Sequence, residues 1–331
     1  MELTPDFSVS INGQSNFPKD RVISIRTTDQ AGFVSDSCEI ELDDFDNALQ
    51  FPNTEAKVTI SLGYQEKGLT KIGTYYVREI AIDGARRTIK IVANALPKSM
   101  RSQKTKTNDV KLNEYMASLD SDLDSELSED YEDIDLSDNP QFGESDINYL
   151  TRIANKVGAV AKPTDEHLIF SENMSAKSVS GKSLPTKYIE SSEVATYSCT
   201  FKETETNGAT GTVYASWYDK KSGEYHLVHA GSGDPETELN EIFSSEKDAL
   251  AAVQAKGKRI EKNNKTFRFT TEGRPDLFAE GPIILQGFPT KIPTNWIISR
   301  VEHTLNSGGF VSNVECVGGQ NKSLCEPVRS N

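Results

Sequence analysis

The strongest constraint on the fold of this 331-residue chain is a period of two in its hydrophobic pattern. Apolar and polar residues alternate through 7–11, 38–42 and 58–62. This period places every second side chain on one face of a strand, which indicates half-buried strands. The Asp-Gly pair at 83–84 separates two further alternating runs, as in a β-hairpin. Residues 1–97 are therefore predicted to form a first β-domain, a small barrel or sandwich.

A second β-rich part is predicted over residues 190–317. Alternating runs at 194–201, 212–219 and 223–230 indicate strands. The two β-rich parts are of similar size, although residue identity does not reveal a repeat. We therefore treat a duplicated barrel as a hypothesis.

One helix is predicted inside the second β-rich part, at residues 244–262, with Ser245 and Asp248 as its N-terminal caps. Gly257 lies within it and costs about 1 kcal/mol relative to alanine. Its presence predicts that another part of the chain approaches the helix closely. Residues 318–331 carry few apolar side chains and are predicted to form a flexible tail.

The region between the two β-rich parts, residues 98–189, has a different character. It begins with a basic, polar segment at 98–109, which is typical of a linker or an exposed loop. A short helix is predicted at 110–119. An acidic run follows at 120–138 and indicates a solvated surface, with contact to a basic partner as the alternative.

A capped helix is predicted at residues 145–158 of this connecting region. Ser145 is a preferred N-cap, Asp146 complements the helix dipole, and Gly158 fits a C-terminal stop. The helix carries one apolar stripe, made of Ile147, Leu150, Ile153, Ala154 and Val157. Two short strands are predicted after it. The fold class predicted from these patterns is mainly β with an α+β insert: two β-barrel domains joined by a small α/β connecting region.

The net charge of −14 argues against a protein that binds nucleic acid by neutralising phosphates, and it disfavours binding to an anionic membrane. No apolar run is long enough to span a bilayer. The first residues have no basic end and no apolar segment, so we do not expect a secretory signal. Cys38 and Cys316 lie in alternating patterns, so we expect buried thiols, whereas Cys325 is expected to be exposed. The cysteine spacing does not fit a zinc site.

Calcium binding was considered for the start of the acidic run. Asp120, Asp122 and Asp124 match the first, third and fifth positions of a calcium loop. Ser125 and Tyr131 occupy the positions that require glycine and glutamate. A solvated or repulsive acidic surface is therefore favoured over a metal site.

Other candidates for chemistry are equally unspecific. His226 and His229 are three residues apart in a strand pattern, so they should point to opposite faces. Trp217 and Trp296 could stack against sugars or bases, but packing in a core or interface is favoured. Nucleotide-binding and nucleophile motifs are absent from the sequence, and 50 acidic residues make a catalytic carboxylate pair impossible to single out. The prediction assigns no catalytic, cofactor-binding or metal residue, no cofactor and no enzymatic activity.

Several stretches, in order along the chain, resemble one known family. They are LTPDFSVSING (3–13), the segment 21–44 followed by IGTYYVREI (72–80), ESDINYLTRIANKVGAVA (144–161), SGKSLP (180–185) and the segment 273–315. Together they resemble the phage late control protein D family, the baseplate hub of contractile tails. The hub domain of type VI secretion spike proteins is similar. The region 98–143 matches this family least.

The resemblance implies two tube-like β-barrel domains per chain and a homotrimer that adapts the hexameric tail tube to a trimeric spike. It implies partners among the tail tube protein, a separate spike protein, the tape-measure protein and other baseplate proteins, with no membrane partner and no specific nucleic acid binding. The expected location is the virion tail baseplate, or that of a phage-like particle, after synthesis in the bacterial cytoplasm. Part of the negative charge is expected to line the lumen, where like charge disfavours adhesion of DNA.

Two other functions compete with the hub interpretation. One is a hydrolase that cleaves cell-wall glycans with a pair of carboxylates. The other is a sugar-binding β-module of a tail that uses Trp217 or Trp296.

Overall fold

The computed structural model of the protein describes residues 3–14, 17–202, 211–234 and 236–320. The first β-rich part folds into one six-stranded unit. We call it the first unit. Its strands are β1 (Pro5–Ile11), β2 (Val22–Gln30), β3 (Ser37–Asp43), β4 (Lys57–Tyr64), β5 (Gly68–Asp83) and β6 (Thr88–Asn94). They are hydrogen-bonded in the order β1-β4-β5-β6-β3-β2, each neighbour antiparallel.

The first unit curls around its own apolar face. Every strand contributes a side chain that is at most 3% exposed to one cluster: Val9, Ile25, Ile40, Ile60, Val77 and Ile91. A flat sheet would leave this face in water unless another layer covered it. The cluster instead draws on the unit's own strands and loops, with Leu305 and Phe310 added from later in the chain. The period of two in the sequence thus produces a sheet whose apolar face is covered by side chains of its own strands and loops.

The connecting region forms a small α/β unit. Its elements are β7 (Gln103–Lys106), α1 (Leu112–Ala117), β8 (Asp124–Leu127), β9 (Gln141–Ser145), α2 (Asp146–Val157), β10 (Ala159–Thr164) and β11 (His167–Glu172). The predicted helix is confirmed, because Ser145 Oγ accepts a hydrogen bond from the backbone of Asn148 and Gly158 ends α2 in the left-handed region. Its predicted stripe faces the core of this region. The segment 98–109, expected to be a linker, contributes β7, which pairs with β9.

Another six-stranded unit, which we call the second unit, begins at Lys187, three residues before the predicted start of the second β-rich part. Its strands are β12 (Lys187–Glu190), β13 (Val194–Phe201), β17 (Lys265–Glu272), β18 (Pro282–Gln286), β19 (Asn295–Asn306) and β20 (Gly309–Gln320). Between β13 and β17 lies an inserted unit, which consists of β14 (Gly211–Asp219), β15 (Glu224–Ser232), β16 (Glu236–Phe243) and α3 (Glu246–Asn263). The helix predicted inside this part is therefore confirmed.

The two six-stranded units have the same topology. The second unit has the order β12-β18-β19-β20-β17-β13, so its strands, taken in chain order, occupy the same places as β1 to β6. Strand irregularities also correspond: β2 has one between Val22 and Ser24, and β13 has one between Val194 and Thr196. One difference is that β12 runs parallel to β18, whereas β1 runs antiparallel to β4. The fold thus shows a duplication that residue identity did not reveal.

The two units join edge to edge. β2 pairs antiparallel with β19, from Arg300 opposite Gln30 to Asn306 opposite Ser24. This seam merges both units into one 12-stranded sheet. The chain is therefore mainly β, as predicted, and its large sheet contains two units of the same strand order. The described strands form one shared open sheet rather than two separately closed barrels.

Two local expectations differ from the structure. Nothing lies within 4 Å of a Cβ placed on Gly257, so the predicted close approach does not occur there. β20 extends to Gln320, which pairs with Asn295, so the first three residues of the predicted tail belong to the sheet. Residues 321–331 lie outside the described residues. Within the described ranges, every helix is too short or too polar to cross a membrane.

Candidate functional site

A buried ion cluster lies where the connecting region meets both β units. Lys162 Nζ on β10 lies 2.8 Å from Asp29 Oδ1 and 2.6 Å from Asp36 Oδ1. Thr164 donates its hydroxyl hydrogen to Asp36 at 2.6 Å. From the second unit, the backbone N–H of Ala279 donates to Asp29 at 2.8 Å. One cluster therefore holds three parts of the chain together.

The two carboxyls of this cluster titrate differently. Burial and the nearby charge of Asp29 raise the pKa of Asp36 to about 8. Burial opposes ionisation of Asp29 too, but the charge of Lys162 and its hydrogen bond hold the pKa of Asp29 below its ordinary value. The cluster therefore combines the ammonium of Lys162 and the carboxylate of Asp29 with a second acid, Asp36, whose ionisation is opposed by its surroundings. Lys162 and Asp36 are buried and Asp29 is partly exposed. Removing one partner would leave a poorly solvated charge without its counter-ion, so the cluster should help to hold the three parts of the chain together.

A second buried network anchors the start of α2. Asp146 is 1% exposed and accepts hydrogen bonds from Tyr115 Oη at 3.1 Å and Gln141 Nε2 at 3.0 Å. Lys104 of β7 supplies the positive charge, with Nζ 2.5 Å from Asp146 Oδ2. Asp146 therefore does more than complement the helix dipole: it ties β7, α1 and α2 to one another.

A cleft of ≈ 890 Å³ lies between the connecting region, the inserted unit and both six-stranded units. Its walls include Phe33, Gly158, Ala255 of α3 and Glu315 of β20. Gly158 has φ +73°, and a Cβ added there would lie 2.2 Å from the Cβ of Ala255. The close approach that the sequence placed at Gly257 of α3 therefore occurs two residues earlier, at the contact between α3 and the end of α2.

The solvent side of the shared sheet is polar and acidic. Eight strands contribute to it, in the order β5-β6-β3-β2-β19-β20-β17-β13. Strand alternation places on this side the carboxylates of Glu39, Glu41, Asp43, Glu79, Asp83, Glu272, Glu302 and Glu315, and the basic groups of Arg26, Lys90, Arg268 and Arg300. None of these charged side chains is buried. Eight negative and four positive charges make the face acidic.

The acidic run does not form a single loop around a cation. Asp124 begins β8 and lies opposite His167 of β11, so a strand occupies the middle of the segment that partly matches a calcium loop. Two carboxylates of the run pair with lysines: Asp133 with Lys111 at 2.5 Å, and Asp138 with Lys220 of the inserted unit at 3.0 Å. In the part of the chain that the structure describes, no cluster of three or more potential ligands is arranged to hold a metal ion.

The histidine and tryptophan candidates have packing roles. His226 packs on Trp217, with ring centroids 4.9 Å apart, whereas His229 packs on Tyr214, so the two histidines face opposite sides of β15, as predicted. Trp296 is 2% exposed and donates its indole N–H to the carbonyl oxygen of Pro293 at 2.6 Å. It belongs to the core of the second unit and cannot stack against a sugar.

Cys38 and Cys316 are buried, as predicted, and Cys199 is partly exposed. Cys325 lies outside the described residues. His303 is also buried: Ser312 Oγ lies 2.8 Å from its Nδ1 and the carbonyl oxygen of Leu277 lies 3.3 Å from its Nε2. Burial lowers the pKa of His303 to about 4, so it is neutral at physiological pH.

Sequence reasoning missed the buried ion cluster. The available signal was Lys162, a lone charge in the apolar run VGAVAKP. A lysine in a fully buried strand requires a counter-ion. Its partners Asp29 and Asp36 lie more than a hundred residues away along the chain, so the pattern could indicate that a partner exists without identifying it.

Two strand edges expose apolar side chains. The C-terminal part of β5, residues 79–83, pairs with β6 on one side, and β13 pairs with β17 on one side. Within the described residues, neither has a strand on its other side. Ile82 on the first edge is 62% exposed, and Tyr197 and Phe201 on the second are 46% and 51% exposed. Exposed apolar edges of this kind are sites at which a further strand can add.

Comparisons with known proteins agree on one family. The family model described as phage tail baseplate hub (GPD) matches residues 112–309. A probable baseplate hub protein of Escherichia phage 186 is 28% identical, and the alignment covers 95% of this chain and 92% of that protein.

Two solved structures share the fold. A tail protein from Neisseria meningitidis aligns with a TM-score of 0.66 at 12% identity, covering 95% of this chain and 97% of that one. An Escherichia coli type VI secretion system component, described as similar in structure to two phage T4 tail proteins, gives 0.58 at 12% identity, covering 96% and 79%. At these identities the likeness concerns the fold.

Proposed function

The chain belongs to the phage tail baseplate hub (GPD) family, and from this membership we propose that three copies form a ring that adapts a sixfold tail tube to a trimeric spike. The chain is a baseplate hub protein of a P2-like phage tail. The proposal adds the stoichiometry and the neighbours: the tail tube on one side and a trimeric spike on the other. The tape-measure protein would lie in the bore.

The duplicated topology carries this proposal. Each chain contains two six-stranded units with the same strand order. Three chains would therefore present six comparable units, which is the number needed to match a hexameric tube. The connecting region and the inserted unit occur once per chain, so they would repeat three times, as a trimeric spike requires.

We further propose that the hub acts through its shape and without catalysis. The groups with strongly shifted pKa values at the junction, Asp36 and His303, are buried and hydrogen-bonded within the protein. Trp296, one of the two tryptophans considered for sugar binding, is a core residue. Incubation of the purified chain with cell-wall glycans should release no soluble fragments, and release that a carboxylate substitution abolishes would overturn this part.

The acidic solvent side of the sheet is the proposed wall of the bore. Its excess of carboxylates would repel the phosphates of DNA that slides past. A structure of the assembled trimer tests this directly. An acidic bore that includes Glu41 and Glu272 is expected, and a neutral or basic bore would reject the proposal.

Mass in solution tests the ring. Light scattering on the purified chain should give a particle with three times the 36.5 kDa chain mass, and coexpression with the spike protein should give that mass plus three spike chains. Electron micrographs of the particle with tube protein should show a sixfold face. A stable dimer, or a chain that remains monomeric with both partners, would contradict the proposed assembly.

A further inference from the structure

We infer that the two exposed strand edges pair with each other between copies: β13 of one copy adds antiparallel to residues 79–83 of β5 in the next, with Ile82 opposite Cys199. This inference rests on the proposed ring and specifies its subunit contact. The second copy of the chain is the occupant because the internal seam already shows how such edges pair.

Because the two units have the same topology, the two exposed edges occupy the same positions in their units as the two strands that form the internal seam. In strand order β13 takes the place of β2, and β5 takes the place of β19. Both β5 and β19 use the N-terminal part of the strand to pair with the preceding strand, β4 or β18. The C-terminal part of β19 then pairs with β2, whereas the same part of β5 has no strand partner within the described residues.

Strand irregularities fix the alignment of the two units. β5 has one between Val77 and Glu79 against β6, and β19 has one between Ile298 and Arg300 against β20. Glu79 therefore corresponds to Arg300. The matching irregularities in β2 and β13 make Val22 correspond to Val194 and Ser24 to Thr196.

The internal seam then gives the register between copies. Within the chain, Arg300 lies opposite Gln30 and His303 opposite Thr27. Transferred through the alignment, five pairs form across the contact: Glu79 with Lys202, Ile80 with Phe201, Ala81 with Thr200, Ile82 with Cys199, and Asp83 with Ser198 of the neighbouring copy.

The side chains suit this register. Ile80 and Ile82 would meet Phe201 and Cys199 on the core side of the sheet, and so remove from water Ile82 and Phe201, which are 62% and 51% exposed. At the position equivalent to Ile82, His303 is buried. Ile82 would thus gain the burial that its counterpart already has. On the solvent side, Glu79 would lie opposite Lys202, an attractive pair.

The contact is heterologous, since one edge of each copy meets a different edge of the next. Such contacts form a closed ring when the rotation closes. Reuse of the seam geometry would continue the hydrogen-bonded sheet from each copy to the next.

Disulfide trapping tests the register. Ile82→Cys is made in a Cys325→Ser background, so that Cys199 is its intended partner. Residues directly opposite in antiparallel strands have Cα atoms about 4.5–5.5 Å apart, which a disulfide can span. Copper–phenanthroline oxidation of the assembled hub should give covalent dimers and trimers on a non-reducing gel.

Two matched controls set the specificity. Cys199→Ser added to the Ile82→Cys chain should abolish cross-linking. Ala81→Cys, whose side chain points to the other face, should cross-link at least tenfold less. Equal cross-linking in either control, or a trimer by mass in which Ile82→Cys forms no cross-link, would overturn the register while leaving the proposed function standing.

Charge exchange gives a second measurement that needs no oxidation. Glu79→Lys or Lys202→Glu alone should shift the assembly midpoint to several-fold higher protein concentration, because each places like charges opposite one another. The double exchange should recover most of the loss. Failure of the double variant to recover would contradict the inferred contact, whereas a wild-type chain that never trimerises would contradict the proposed function itself.

Discussion

The two six-stranded units share a topology but fill their cores differently. The first unit packs mainly Ile, Val and Leu, whereas the second places Phe267, Phe269 and Trp296 at its centre. The ring centroid of Phe267 lies 5.7 Å from that of Phe269 and 5.5 Å from that of Trp296, so the three rings are in contact. The comparison teaches that alternation and strand order preserve this fold while the residues that fill it change.

The units also differ in what joins their second and third strands. In the first unit a short loop, residues 31–36, connects β2 to β3. At the same place the second unit carries the inserted unit, with its own core around Val213, Ala215 and Val253. A hairpin end accepts such an insertion because the flanking ladder is unaffected by what lies beyond the turn.

Among the variants considered, removal of the Lys162 ammonium from the buried cluster should cause the largest loss of stability where the two units meet the connecting region. Lys162→Met removes the counter-charge of Asp29, a partly buried carboxylate, and a hydrogen-bond donor of the buried Asp36, so we expect a loss of about 3–5 kcal/mol in the free energy of unfolding. Urea denaturation followed by circular dichroism measures it. Lys182→Met, at an exposed position, is the matched control and should change the value by less than about 0.5 kcal/mol. Similar losses in both variants would show that the cluster does not couple the units.

Truncation of Trp296 tests whether the cores of the two six-stranded units unfold independently of each other. Trp296→Ala should cost about 3–5 kcal/mol, because it opens a cavity in the second core. Hydrogen exchange should accelerate most in β17–β20 and least in β1 and β4, whose side chains belong to the other cluster. Uniform acceleration in both units would show that they unfold as one body.

Asp36→Asn should change the pH dependence of stability. The folded-state pKa of Asp36, about 8, lies above that of the unfolded chain, so its contribution to stability is complete at acid pH and declines as the pH rises towards 8. The decline has a limit of about 1.4 kcal/mol per pH unit. Asparagine, which does not ionise, should flatten the profile between pH 5 and 8. An unchanged slope in unfolding experiments would refute the raised pKa.

Gly158→Ala probes the contact between α2 and the inserted unit. A side chain at a left-handed position costs about 1–2 kcal/mol, and the clash with Ala255 should add to this. Ala255→Gly in the same chain should relieve the clash but not the backbone strain. A thermal melt in which the double variant is no more stable than Gly158→Ala would show that the two helices separate at little cost.

Local features of this protein were determined by its sequence alone. The period of two predicted the strands, the Ser145 and Gly158 caps predicted α2, and the alternating patterns predicted buried Cys38 and Cys316, all because these depend on neighbours within a few residues. The family resemblance also followed from the sequence. Only the tertiary structure decided three features: the pairing of β2 with β19, the partners of Lys162, and the edges of β5 and β13 that have no partner strand among the described residues. Backbone hydrogen bonds join strands whatever their side chains, so a strand's pattern shows which face is buried but not which distant edge it meets.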